Sequence, residues 1–165
     1  MKKLQIVTEI EELTYDELTA EDRGLIDRAK SMTRTSYVPY SHFHVGAALL
    51  MANGEIVTGS NQENAAFSPT MCAERNAAFQ AGALYPGVAM KKIAIAAWTM
   101  NGHEEGTPYE LCFQGQPISP CGVCRQALLE YEAAYGTIEV LLYGRERILR
   151  FPTVASLLPY CFTEF

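Results

Sequence analysis

The sequence has no apolar run long enough to cross a membrane, which excludes a membrane-spanning helix. It has no cluster of lysine and arginine. Thirteen basic residues are scattered against 19 acidic ones, for a net charge of −6. A protein that grips a phosphate backbone concentrates positive charge on one face, so nucleic acid is not an expected partner. There is no internal repeat and no low-complexity segment. The five cysteines are an odd count, which fits a paired disulfide framework poorly. Met1-Lys2-Lys3-Leu4-Gln5 leads into acidic residues and does not read as a signal peptide. A reduced, cytoplasmic setting is the expectation, and there closely spaced cysteines point to metal or catalysis.

What is present fits an ordinary globular chain: 48% hydrophobic and 19% charged over 165 residues. A single domain spanning 1–165 is expected, with an N-terminal arm over 1–15 and a long polar loop over 99–119. Leu4, Ile6 and Ile10 give the arm some alternation, consistent with an edge strand. Thr19 caps a helix predicted over 20–35, where Leu25, Ile26, Ala29 and Met32 recur at helical spacing. It should end before Val38-Pro39-Tyr40, because the residue preceding proline avoids helical geometry. Strands are expected at 45–51 and 56–58, joined through Asn53-Gly54. The apolar runs Ile93–Trp98 and Ile138–Tyr143 read as strands covered on both faces. Helices are expected at 72–83, 121–132 and, briefly, 154–157. The order implies an α/β fold, a mixed central sheet of about five strands between two layers of helix.

Two cysteine clusters carry the chemistry: Cys72-Ala73-Glu74-Arg75 and Pro120-Cys121-Gly122-Val123-Cys124. Cys121 and Cys124 are three apart at a helix start, so both sulfurs reach one ion. Cys72 also opens a helix, and helix N-termini favour the thiolate that a metal needs. Three protein ligands leave a fourth position on zinc for water, whereas a structural site fills all four. Glu74, two residues from the first thiol, could then move protons to and from that water. Arg75 could donate hydrogen bonds to the ligand sulfurs and offset their charge. The order Cys-x-Glu then Pro-Cys-x-x-Cys matches the signature of zinc-dependent nucleobase deaminases. The main alternative is a structural zinc knot with Cys112 as the fourth ligand. Cys112 and Cys161 otherwise read as free or partly buried thiols. His42 and His44 are expected on one side of an extended segment, as polar face residues or as a metal pair.

With these motifs the chain resembles the small homotetrameric cytidine deaminases, the class whose first zinc ligand is cysteine. The resemblance runs from about Ser36 to Phe162. It takes in Val38-Pro39-Tyr40-Ser41-His42-Phe43-His44-Val45-Gly46-Ala47-Ala48, Asn61-Gln62-Glu63-Asn64-Ala65, Ser119-Pro120-Cys121-Gly122-Val123-Cys124-Arg125-Gln126 and Leu157-Leu158-Pro159. It implies zinc on Cys72, Cys121 and Cys124, one ion per subunit, with Glu74 as proton shuttle. Asn61 and Glu63 would bind the ribose hydroxyls, and Phe43 would pack near the nucleoside. Backbone groups of Ala73 and Ser119 would touch the base. Phe162 would cover the pyrimidine of a neighbouring subunit in a homotetramer. The residues agree in kind: Asn61 and Glu63, two apart on an extended segment, face one side. Read without the resemblance, they could equally be exposed loop residues.

The chain departs from the family in having Phe67 where tyrosine is common, a longer 99–119 loop and the additional N-terminal arm. The implied reaction is hydrolytic deamination of cytidine and 2′-deoxycytidine, as in pyrimidine salvage. Its rivals are an aminohydrolase of the same fold acting on another amine, and a zinc-stabilised binding module without catalysis.

Overall fold

The structure, a computed structural model, describes residues 1–163; positions 164 and 165 of the expected 1–165 domain lie outside the described residues. Thr19 accepts a hydrogen bond from the Asp22 backbone N–H at 3.1 Å and starts α1 (Ala20–Met32). A single turn of tighter 3₁₀ helix over Thr33–Thr35 completes the span expected at 20–35. The hairpin pairs β2 (Phe43–Met51) with β3 (Ile56–Ser60). Gly54 supplies the positive φ of its turn, and the Asn53 side chain accepts from the Glu55 N–H. Then follow α2 (Ala73–Leu84), β4 (Met90–Thr99), α3 (Gly122–Tyr135) and β5 (Glu139–Tyr143).

The sheet has six strands, not about five. The two that periodicity did not define are β6 (Ile148–Phe151), which returns antiparallel along β5, and the short β1 (Glu11–Leu13). The order across the sheet is β1-β6-β5-β4-β2-β3, and only β4 and β5 run parallel, joined over the sheet by α3. β1 carries Glu11 and Glu12, which no apolar alternation marks. Ion pairs add to its backbone pairing with β6: Arg150 to Glu11 at 2.9 Å and Arg147 to Glu12 at 3.0 Å.

Alternation along the strands divides the interior in two. Val45, Ala47, Leu49, Ile93, Ile95, Val140 and Leu142 face α2 and α3. Ala48, Ala94, Ala96 and Leu141 face Leu25, Ile26 and Ala29 of α1. Helices therefore cover both faces of the sheet, as the α/β reading requires. Two glycines set how closely helices approach. A side chain at Gly46 would enter the backbone of α1 at Ala29 and Thr33. A Cβ at Gly59 would stand 2.5 Å from the Ala73 carbonyl oxygen and 2.6 Å from the Ala77 nitrogen, so only glycine lets α2 begin against β3.

Asp22 is buried at 1% exposure and ties three elements together. Its carboxylate meets Lys92 of β4 and Arg150 of β6, the latter at 2.7 Å. Burial works against its charge, but hydrogen bonds from Lys92 and from Thr19 and the charges of Lys92 and Arg150 prevail, holding it below the usual carboxylate range. A carboxyl so held stabilises the fold above its unfolded value of about 3.9, and that contribution is lost as pH falls through its folded value. Asp22→Asn removes the buried anion that Lys92 and Arg150 share, leaving them Glu139, Glu21 and Glu11, and is expected to cost about 2 kcal/mol at pH 7. Urea melts of both proteins should converge as pH is lowered toward 3.

Candidate metal centre and its surroundings

Each of β3 and β4 is antiparallel to β2, so the two strands run the same way. The helices that follow them, α2 and α3, begin at the same end of the sheet. Cys72 and Cys121 are the N-cap residues of these helices, with extended backbones at ψ 153 and 165. Cys124 lies in the first turn of α3 and is fully buried.

The three sulfurs lie within 4.8 Å of one another. Cys72 Sγ is 3.9 Å from Cys121 Sγ, and Cys121 Sγ is 3.5 Å from Cys124 Sγ. Thiolates at about 2.3 Å from a tetrahedral zinc stand about 3.8 Å apart, so the donor set fits that ion. Among the described residues no fourth acidic, histidine or cysteine ligand joins this group. Cys112 is turned elsewhere: buried, its sulfur contacts Met100 Sδ at 3.5 Å and the Pro108 carbonyl at 3.5 Å. The zinc knot closed by Cys112 is therefore not formed. Cys161 is half-buried against the core beneath α2 and α3.

Electrostatics also suit a cation. A hydrogen bond with Cys124 and then the Arg75 guanidinium pull the Cys72 thiol down to about 5, against the cost of burial. Cys124, beside that thiolate and desolvated, is driven up. Arg75 Nη2 donates to Cys72 Sγ at 3.8 Å, and its Nε is buried without a partner. Glu74 is 4% exposed; burial pushes its carboxyl up to about 7, and the negative Cys72 adds to the rise. A carboxyl poised near neutrality beside three metal-binding sulfurs is suited to taking and returning a proton.

Around this centre, β2 and the segment after β3 carry the expected sugar-binding residues. Asn61 Oδ1 accepts from the Val45 N–H at 2.9 Å and its Nδ2 donates to the Phe43 carbonyl at 2.9 Å. Glu63 Oε2 accepts the N–H groups of Tyr40 at 2.9 Å and Ser41 at 3.2 Å. Burial opposes its charge, yet bonds from the Ser41 side chain and these two amides hold it below the carboxylate range. Both residues are half-buried and bonded to backbone, which an exposed loop residue would not be. Phe43 opens β2, partly buried against the core that also holds Ala73. Ala73, the first residue of α2, has an N–H with no place in the helix ladder. Phe162 is 64% exposed, and its carbonyl accepts from Gln126 Nε2 at 2.8 Å. Phe67 is exposed.

Of the two histidines only His44 lies in β2, so the extended segment expected to carry both does not run through His42. His42 has φ +54, which breaks the alternation the expectation assumed. His44 stacks on Trp98, ring centroids 4.1 Å apart, with Nδ1 at 2.7 Å from Ser36 Oγ. The sequence also gave no role to Arg125. It bonds the Pro120 carbonyl at 2.8 Å, the Leu157 carbonyl at 2.8 Å and Ser119 Oγ at 2.9 Å, so it fixes the strand of chain leading into Cys121. Its place directly after Cys124 was the available signal. Asn76 of α2 likewise donates to the Ser60 carbonyl at 3.0 Å, fastening α2 to the end of β3.

Residues 19–138 match the family model described as the cytidine and deoxycytidylate deaminase zinc-binding region. The chain is 41% identical over 141 residues to a cytidine deaminase of Sporosarcina psychrophila, covering 85% of this chain and 90% of that protein. It is 37% identical over 139 residues to one of Halalkalibacterium halodurans, covering 84% and 92%. The crystal structure of cytidine deaminase from Burkholderia pseudomallei superposes with a TM-score of 0.66 at 36% identity, over 88% of this chain and 100% of that one. Among the described residues, no helix is long and apolar enough to cross a membrane.

Proposed function

The chain belongs to the cytidine and deoxycytidylate deaminase family, and from that membership we propose that it hydrolyses cytidine and 2′-deoxycytidine to the corresponding uridines with release of ammonia. The observation that carries this reading is geometric: three sulfurs within 4.8 Å of one another, with the buried carboxyl of Glu74 beside them in the first turn of α2.

Cys72, Cys121 and Cys124 would hold the zinc, one ion per subunit. Bound there, zinc supplies Lewis acidity and lowers the pKa of water. Glu74 takes a proton from the attacking water and delivers it to N3 of the ring as C4 becomes tetrahedral. It then takes the remaining proton of the C4 hydroxyl and gives it to the amine; the C4–N4 bond breaks, a C4 carbonyl forms, and ammonia leaves. Arg75 offsets the negative charge of the ligand sulfurs, which would otherwise disfavour loss of a proton from water.

Glu63, oriented by the Tyr40 and Ser41 amides on Oε2, offers its carboxylate to a ribose hydroxyl. Asn61 positions Phe43 through its carbonyl and offers a second N–H to the sugar. The backbone of Ala73 and Ser119 contacts the base, and Phe43 packs on the nucleoside. The protein acts in the cytoplasm in pyrimidine salvage, as a homotetramer in which Phe162 covers the pyrimidine of a neighbouring subunit. Its mostly exposed side chain on a backbone fixed by Gln126 supports that reach.

An absorbance assay of cytidine conversion, on protein of known zinc content, tests the reading. Turnover should appear with zinc bound and vanish on its removal by a chelator. Full zinc without turnover of either nucleoside would move the assignment to another amine substrate or to a non-catalytic zinc module.

A further inference from the structure

The start of the long segment after β4 has no part in the reaction as described, yet it grips the backbone that leads into Phe43. Thr99, the last residue of β4, donates from Oγ1 to the His42 carbonyl at 2.8 Å. Asn101 Nδ2 reaches the Ser41 carbonyl at 3.4 Å, and the Asn101 N–H returns to Thr99 Oγ1 at 3.1 Å. These bonds meet the chain where it is least relaxed. His42 is the only non-glycine residue with positive φ among the described residues. A left-handed conformation at such a residue persists only where surrounding contacts impose it.

The opposite side of the same turn is held by Glu63, on the amides of Tyr40 and Ser41, and by Ser41 Oγ, on the Phe43 N–H at 3.1 Å. Residues 38–43 are therefore clamped between a proposed ribose-binding carboxylate and the start of the 99–119 segment. Further along, that segment is anchored, not free. Phe113 is buried and bridges to Trp98, and Tyr109 donates to the Lys30 carbonyl at 2.6 Å with Arg34 stacked on its ring. Thr99 and Asn101 are thus mounted on a fixed support.

We propose that Thr99, assisted by Asn101, is a positioning residue for nucleoside binding: it holds the left-handed turn at His42 and so sets Phe43 and the Glu63 carboxylate against the sugar. This rests on the nucleoside reading above. The turn forms before substrate arrives, so its loss weakens ground-state and transition-state binding alike, which appears in KM and not in kcat.

The test uses the full-length, zinc-loaded protein with Thr99→Val, which keeps the shape and removes the hydroxyl. KM for cytidine should rise about tenfold with kcat within about twofold, and amide hydrogen exchange at residues 40–43 should quicken about tenfold. Thr99→Ser restores the donor and should restore both. Asn101→Ala, on the exposed turn, should move both in the same direction by about twofold, and it decides the matter should Thr99→Val fail to fold. Unchanged KM and exchange in the folded variant overturn the proposal, as does faster exchange with KM unmoved. Should wild type fail to turn over cytidine, the nucleoside reading falls, and exchange at 40–43 alone supports or overturns the clamp.

Discussion

Glu74→Gln is expected to keep its zinc and lose about 10²–10⁴ in kcat for cytidine, since that is the usual worth of a positioned acid–base group. Glutamine preserves the shape of a side chain that is 4% exposed at the start of α2, so the helix and its neighbouring sulfurs should stay in place. What it removes is the ionisable oxygen to which the proposed mechanism gives the proton transfers. The amide also needs no energy to stay uncharged in its buried setting, so the variant should melt no lower than wild type. Metal analysis, a thermal melt and single-turnover kinetics on one preparation read all three effects. Activity of Glu74→Gln at wild-type level would remove Glu74 from the mechanism.

Cys124→Ala should have an effect of comparable size by another route. It deletes one of three sulfurs that stand at the spacing a tetrahedral ion requires, and the two that remain come from different helices. Zinc content should fall well below one per chain. Turnover should fall by about 10³ or more, because Lewis-acid assistance is worth several kcal/mol. Unlike Glu74→Gln, this variant should lose stability as well as rate. Zinc retained in full would mean that another group serves as ligand.

Much of this centre was legible because its signals are short-range. Cys121 and Cys124 are three apart and Glu74 is two from Cys72, spacings that fix which groups share a site whatever the fold. The helices and the hairpin were visible as periodicity and as Asn53-Gly54. What stayed hidden depends on partners distant in sequence. The strand at Glu11–Leu13 is defined by its backbone pairing with Ile148–Arg150, to which exposed ion pairs with Arg147 and Arg150 add a little. Four residues with an arginine among them, Ile148–Phe151, are too few to alternate convincingly, and β6 is defined by lying along β5. The turn at His42 was not legible either: its φ of +54 ends the extended geometry one residue before β2 begins. The 99–119 segment looked merely polar, since Phe113 is buried by edge-to-face contacts with Tyr109 and with Tyr143, the latter 30 residues further along the chain.

The position of the three sulfurs also bears on how the chain stays folded. Cys72 and Cys121 are 49 residues apart, and the stretch between them includes all of β4 and the segment that clamps His42. An ion gripped at both ends acts as a removable cross-link, closing a loop of that length in the unfolded chain. Closing such a loop restricts the unfolded ensemble by about 4 kcal/mol on a chain-entropy account. Chelation would then loosen the whole central sheet and not just its catalytic corner, making metal supply a control on the lifetime of the protein as well as on its chemistry.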